Sequence, residues 1–189
     1  LLDIQRLTEE AHRRSIPIGF DCCHSVGSVP HRFDEWEVDF AVWCSYKYLN
    51  AGPGSTAFLY INKKHFGRGP ALAGWFGYVK EKQFDMSLGF QHAQSAGGWQ
   101  ISSPAILSSA PLEGSLRLFQ EAGIAALREK SLRMTSYLIY LIDRLLSDEP
   151  YNFSVGTPRE VTRRGGHLAI EHEEALRIGE ALRSRGVVP

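Results

Sequence analysis

Cysteine is scarce in this chain, and charge of one sign is not in excess. Only three cysteines occur, the neighbours Cys22 and Cys23 and then Cys44. An odd count with one vicinal pair is no disulfide framework, so the expectation is a reducing, cytoplasmic setting. None of the three pairs with a histidine at zinc-ligand spacing, and the seven histidines are scattered, so no metal site is expected. Lys plus Arg and Asp plus Glu both number 21, for a formal charge of zero. That balance leaves no electrostatic footprint for nucleic acid or anionic lipid, and a small molecule is the expected partner. No apolar run is long enough to span a membrane, and Leu1-Leu2-Asp3-Ile4 lacks the features of a secretory signal. Both ends read as interrupted elements, a helix at Leu1 and a strand at Val187-Val188, which suggests a piece of something longer.

What is present is an ordinary globular composition, 43% apolar and 22% charged over 189 residues. Leu1, Ile4, Leu7 and Ala11 give the period of an amphipathic helix over residues 1–14. Three short apolar runs follow: Ile16 to Phe20, Phe40 to Cys44, and Ala57 to Ile61. Such runs fit strands buried on both faces of a helix-covered α/β sheet. Residues 62–103 differ, with seven glycines (67, 69, 74, 77, 89, 97 and 98) among many aromatics and little periodicity. So long a loop in a compact domain is expected to be functional. Helical spacing returns after Pro104, with Pro111 and Gly114 as weak points, and again through Leu138, Leu141, Ile142 and Leu145. Short apolar runs at 153–155 and 167–170 and a charged helix over 173–185 look like the start of a smaller α/β domain. The expected boundary puts 1–104 in a large domain and 105–189 in a connecting helix and partial small domain.

The chemistry concentrates between Asp21 and Gly54. Asp21 ends one predicted strand, with His24 three residues on, and Lys47 lies just past the next in Ser45-Tyr46-Lys47-Tyr48-Leu49-Asn50. Ligands of open α/β sheets bind outside the carboxyl ends of the strands, so these two side chains are expected at one edge. An amine and an acid so placed match what pyridoxal phosphate needs: a lysine for its aldehyde and a carboxylate for its ring nitrogen. Singly, each has a plainer explanation, since Asp after a strand commonly caps a helix and Lys there is commonly a solvated charge. Gly52-Pro53-Gly54 alone is a turn and lacks the rest of any nucleotide-binding glycine fingerprint.

Phe20-Asp21-Cys22-Cys23-His24-Ser25-Val26-Gly27 and Val38 through Gly52 closely resemble kynureninase, as do Gly74-Trp75-Phe76-Gly77, Ile101-Ser102-Ser103-Pro104 and Arg164-Gly165-Gly166-His167-Leu168. The resemblance runs along essentially the whole chain. It implies part of a fold-type-I pyridoxal-phosphate large domain followed by the start of the small domain. The implied activity is hydrolysis of kynurenine or 3-hydroxykynurenine to anthranilate or 3-hydroxyanthranilate and alanine, in tryptophan catabolism and pyridine nucleotide biosynthesis. Lys47 would bind the cofactor aldehyde and carry the proton at the substrate α-carbon. Asp21 would pair with the pyridine nitrogen, with His24 beside it. Tyr46 would reach the phosphate and serve as an acid in carbon–carbon cleavage. Trp75 and Ser103 would contact the phosphate from the partner subunit of a homodimer, and Arg164 would clamp the substrate carboxylate. The chain is far shorter than a full kynureninase subunit, so on its own it is expected to be inactive. A cysteine desulfurase or class V aminotransferase would keep Asp21 and Lys47 in the same roles, and an inactive truncated or dimerising form would keep the motifs alone.

Overall fold

The computed structural model describes residues 1–189, which divide into two compact units, Asp3–Ala125 and Ala126–Pro189, the latter joined by Leu1–Leu2. The first unit opens with helix α1 (Ile4–His12), whose N-cap Asp3 accepts from the Arg6 amide at 3.0 Å, satisfying a donor that the first helical turn leaves free. Its apolar side, Ile4 and Leu7, packs on a cluster of Phe20, Cys22, Val38 and Ala41. Burying side chains such as Phe20 and Val38 contributes about 2 kcal/mol each.

Three strands form the sheet: β1 (Gly19–Asp21), β2 (Phe40–Cys44) and β3 (Ala57–Ile61). β1 runs parallel to β2, with Asp21 opposite Val42, and β3 pairs antiparallel to β2, with Val42 opposite Leu59. The first strand starts later than the apolar run at Ile16 suggests. Pro17 has no amide proton, and the Ile18 amide goes to the Asp39 carboxylate at 2.7 Å instead of to a ladder.

Residues 1–189 bury one face of the sheet. Ala41 is fully buried on the α1 side, whereas Phe40, Val42 and Leu59 are 43%, 38% and 43% exposed. Side chains alternate across a strand, so the exposed residues share the opposite face, which no element of residues 1–189 covers.

Residues 62–103 hold only short 3-10 turns, at Lys63–His65, Trp75–Gly77, Lys80–Lys82 and Ala96–Trp99, and one bridge, Tyr78 to His92. The Trp75 turn leans so closely on residue 101 that a Cβ on Gly74 would lie 2.0 Å from the Ile101 carbonyl oxygen and 2.4 Å from its Cα. Backbone cannot swing aside as a side chain can. Gly74→Ala is therefore expected to cost about 2 kcal/mol, read as a lower urea midpoint, with Trp75 fluorescence shifted.

Helix α2 (Ile106–Ala122) runs through both Pro111 and Gly114. The buried Ser115 hydroxyl donates to the Leu49 carbonyl, tying α2 to the first unit. The two compact units divide at 125–126. The second unit contains most of helix α3 (Ile124–Leu145), a hairpin-like pair of β4 (Ser154–Val155) and β5 (Ile170–Glu171), and helix α4 (Ala175–Arg183).

Candidate active site

β1 ends at Asp21, and the chain turns at once: the amides of Ser25 and Val26 both donate to the Cys22 carbonyl at 3.0 Å. The turn closes through Gly27, which has a φ of +86°, a region glycine enters without a Cβ penalty. Space demands glycine there as well, since a Cβ would lie 2.9 Å from the Tyr48 carbonyl carbon. This close approach presses the loop after β1 against the loop after β2, which carries Lys47.

That second loop is held from both ends. The fully buried Ser45 hydroxyl lies 2.5 Å from the Thr56 carbonyl and 2.7 Å from the Ser55 hydroxyl. The Ala51 amide donates to the Ser45 carbonyl and the Asn50 amide to the Lys47 carbonyl, each at 3.0 Å. Asn50 takes a φ of +56°, which an Asn tolerates better than most residues. Lys47 thus sits on a pinned turn, with its ammonium 5.8 Å from the Tyr46 ring centroid.

Asp21 is exposed, and its carboxylate accepts the Cys23 amide at 2.9 Å. The Cys23 thiol and amide hold its carboxyl below the ordinary carboxylate range, and the charges of Lys47 and His24 add to this. An acid that stays ionised at the end of β1, with an amine just past β2 on the same sheet edge, is the pair a protonated pyridine nitrogen and an aldehyde require. The residues present therefore fit pyridoxal phosphate. His24 and Tyr46 are both exposed on the same pair of loops.

Trp75 and Ser103 lie apart from that pair, in the glycine-rich segment. The Trp75 indole donates to the Gln83 carbonyl at 3.2 Å, Gln83 returns a bond to the Trp75 carbonyl at 3.1 Å, and Phe84 packs edge-on to the ring. Ser103 is exposed, and its carbonyl accepts from Ser102 at 3.3 Å.

Arg164 belongs to the second unit and is only 3% exposed. Its guanidinium donates to the Thr135 hydroxyl at 3.1 Å, to the Ser136 hydroxyl at 2.5 Å and to the Arg159 carbonyl. All three acceptors are neutral. Arg128 lies beside it, donating to the carbonyls of Val161 and Arg164 at 2.8 Å each. Burial and then the charge of Arg164 push the Arg128 guanidinium down from its ordinary value. Two cations share this corner, and Arg159, not Arg164, takes the Asp143 carboxylate.

The Asp39 cluster is one that sequence reasoning missed. Its carboxylate, on a residue 4% exposed, meets His12 Nε2 at 2.9 Å, the Ile18 amide at 2.7 Å, Lys64 Nζ at 2.9 Å and His65 Nε2 at 2.7 Å. It joins α1, the entry to β1 and the turn after β3, away from the Lys47 edge of the sheet. No spacing in the sequence announces it.

Residues 127–189 match the family described as kynureninase C-terminal domain. All 189 residues align with the kynureninase of Geobacillus thermodenitrificans at 57% identity, covering 100% of this chain and 44% of that protein. The chain therefore spans less than half the length of that curated relative. Among solved structures, the apo cysteine desulfurase of Thermococcus onnurineus superposes with a TM-score of 0.78 at 17% identity, over 98% of this chain and 44% of that one. A C-DES mutant with glycine covalently linked to its PLP cofactor gives a TM-score of 0.64 at 21% identity, over 87% of this chain and 41% of that one. At such identities these two likenesses speak for the fold: the α/β architecture of class V aminotransferase-like enzymes, represented in part. With 57% identity along its full length, and with residues 127–189 matching the kynureninase C-terminal domain, this chain is similar throughout to part of a kynureninase.

Proposed function

We propose that Asp21 and Lys47 hold pyridoxal 5′-phosphate, and that the subunit of which these residues form part hydrolyses kynurenine or 3-hydroxykynurenine. Water is added across the carbon–carbon bond between the side-chain carbonyl and the β-carbon, giving anthranilate or its 3-hydroxy form and alanine. The observation that carries the reading is the contact of Gly27 with Tyr48, which sets the ionised Asp21 beside Lys47. When bound, the cofactor supplies an electron sink for the substrate α-carbon.

Lys47 would hold the cofactor aldehyde and would move a proton at the substrate α-carbon. Asp21, held as an anion, keeps the proton on the ring nitrogen, and His24 adds a polar neighbour. Tyr46 offers its phenol on the solvent side of Lys47, where it serves the phosphate and donates a proton during bond cleavage. Trp75 and Ser103 serve the phosphate of a second copy in a homodimer. Leu72, Phe84, Met86 and Leu88 of the same segment are largely exposed, and an apolar patch of this kind is what a partner subunit covers. Arg164 clamps the substrate carboxylate by exchanging neutral hydroxyl acceptors for a charged one, and charge-assisted bonds are the stronger. No helix is long and apolar enough to cross a membrane, and with three free thiols the reading places the enzyme in the cytoplasm.

The test is to offer kynurenine and cysteine separately to the subunit that contains this chain, with pyridoxal phosphate present. Anthranilate release from kynurenine is expected. Sulfur release from cysteine without anthranilate would make it a desulfurase instead. Residues 1–189 alone are expected to turn over kynurenine at least about a hundredfold more slowly than the whole subunit, because small losses of positioning cost that much.

A further inference from the structure

Cys22 and Cys23 share one peptide unit, and both of its polar groups are engaged. Its carbonyl accepts the amides of Ser25 and Val26 at 3.0 Å each and the Ser25 hydroxyl at 3.3 Å. Its N–H donates to the Asp21 carboxylate at 2.9 Å. A peptide unit is planar, so fixing the carbonyl fixes the direction of the N–H. The chain of bonds continues away from Asp21: His31 Nε2 lies 3.0 Å from the Ser25 hydroxyl oxygen. That hydroxyl has one proton, which goes to the Cys22 carbonyl, so the geometry assigns His31 the Nε2–H tautomer and makes it the donor. Packing holds the ring, which stacks on Phe33 with centroids 4.8 Å apart and meets Trp36 edge-on at 6.2 Å. Phe33 and Trp36 in turn pack against the cluster of Phe20, Cys22, Val38 and Ala41. The other ring nitrogen, Nδ1, is buried without a partner, which suits the bare lone pair of a neutral imidazole. Burial pushes His31 below its ordinary value, in the same direction.

We infer that His31 is a positioning residue for the Asp21 carboxylate, acting through the Ser25 hydroxyl and the Cys22–Cys23 peptide. Hydrogen bonds in series polarise one another, and here the far end of the series is anchored in the core. Removing that end frees the Ser25 hydroxyl to rotate, weakens its hold on the Cys22 carbonyl and lets the Cys23 amide turn off the carboxylate. The Cys23 thiol and this amide keep the Asp21 carboxyl ionised, so a weaker amide bond raises the pH at which it titrates. The value of His31 for catalysis rests on Asp21 meeting the cofactor, as proposed above. The bonds from His31 to Asp21 exist whatever Asp21 binds.

The test follows the Asp21 carboxyl carbon by NMR through its titration in the full chain, comparing wild type, H31F, H31Q, S25A and the S25A/H31F pair. Phenylalanine keeps an aromatic ring without a donor, and glutamine offers an amide N–H near the place of Nε2. H31F and S25A are expected to titrate at higher pH than wild type, and H31Q at the wild-type value. The double variant should move no further than S25A, because a residue that acts through Ser25 has nothing left to act on. An unchanged titration in H31F or S25A, a shift in H31Q as large as in H31F, or shifts that add in the double variant would overturn the inference. S25A leaves the ring in place and decides alone should H31F fail to fold. In the whole subunit with pyridoxal phosphate, H31F should lower kcat for anthranilate release about tenfold, since small misplacements cost up to roughly a hundredfold. An unchanged kcat beside a shifted titration would overturn the part of His31 in catalysis. A wild-type subunit in which Lys47 never condenses with the cofactor would instead fault the cofactor reading, with the titration still deciding what His31 does to Asp21.

Discussion

Asp39→Asn is expected to lower the unfolding free energy of the first unit by roughly 3–5 kcal/mol, the usual result of removing one partner from a buried charged network. The carboxylate accepts from four groups on three separate segments: His12, Ile18, Lys64 and His65. An amide keeps the shape but loses the charge, and its NH₂ faces donors rather than acceptors. Trp36 and Trp43 pack against the adjoining core, so their fluorescence during urea unfolding reports the loss.

The same substitution fixes the pH dependence. Burial alone would push the Asp39 carboxyl up, but the bonds from His12, the Ile18 amide, Lys64 and His65 outweigh it and hold the carboxyl far below the ordinary range. A folded-state value below the unfolded one means that the contribution is complete above the unfolded aspartate value, about 3.9. It is withdrawn as the pH falls below that value. The stability gap between wild type and Asp39→Asn should therefore be widest near neutrality and shrink in acid. A gap of constant size from pH 6 to pH 2 would mean that packing, not charge, is what Asp39 supplies.

Lys47→Ala has the largest expected effect on chemistry. Pyridoxal phosphate added to the wild-type chain should give the long-wavelength absorbance of an aldehyde condensed with a lysine, and the variant should lose it. In the whole subunit the same change should reduce anthranilate formation by at least roughly 10³-fold, since proton transfer by one placed side chain is itself worth 10²–10⁴. The urea midpoint should hardly move, because the Lys47 side chain makes no buried ion pair and its turn is pinned by Ser45, Asn50 and Ala51 through other atoms.

Asp21 and Lys47 could be read from the sequence because each follows a short apolar run, and the ends of adjacent strands share an edge. Their loops are joined by Gly27 against Tyr48, a contact between residues far apart in sequence that no local pattern encodes. The open face of β2 was illegible for a related reason. Phe40, Val42 and Leu59 read as buried on any hydropathy argument, and their exposure reflects which elements cover the sheet, not the strand itself. Helix α2 reaches the Leu49 carbonyl through the Ser115 hydroxyl, a contact that helical periodicity does not encode. Arg163 and Arg164 look alike in sequence. Only the hydroxyls of Thr135 and Ser136, on a helix nearly thirty residues earlier, bury one of them.

The proposed function requires the position-47 amine to meet the cofactor. Pyridoxal phosphate added to the chain at modest excess, reduced with borohydride and mapped by mass should leave its label on the peptide carrying Lys47. Label spread evenly over Lys63, Lys64, Lys80 and Lys82, or absent from Lys47, would rule out Lys47 as the cofactor's lysine.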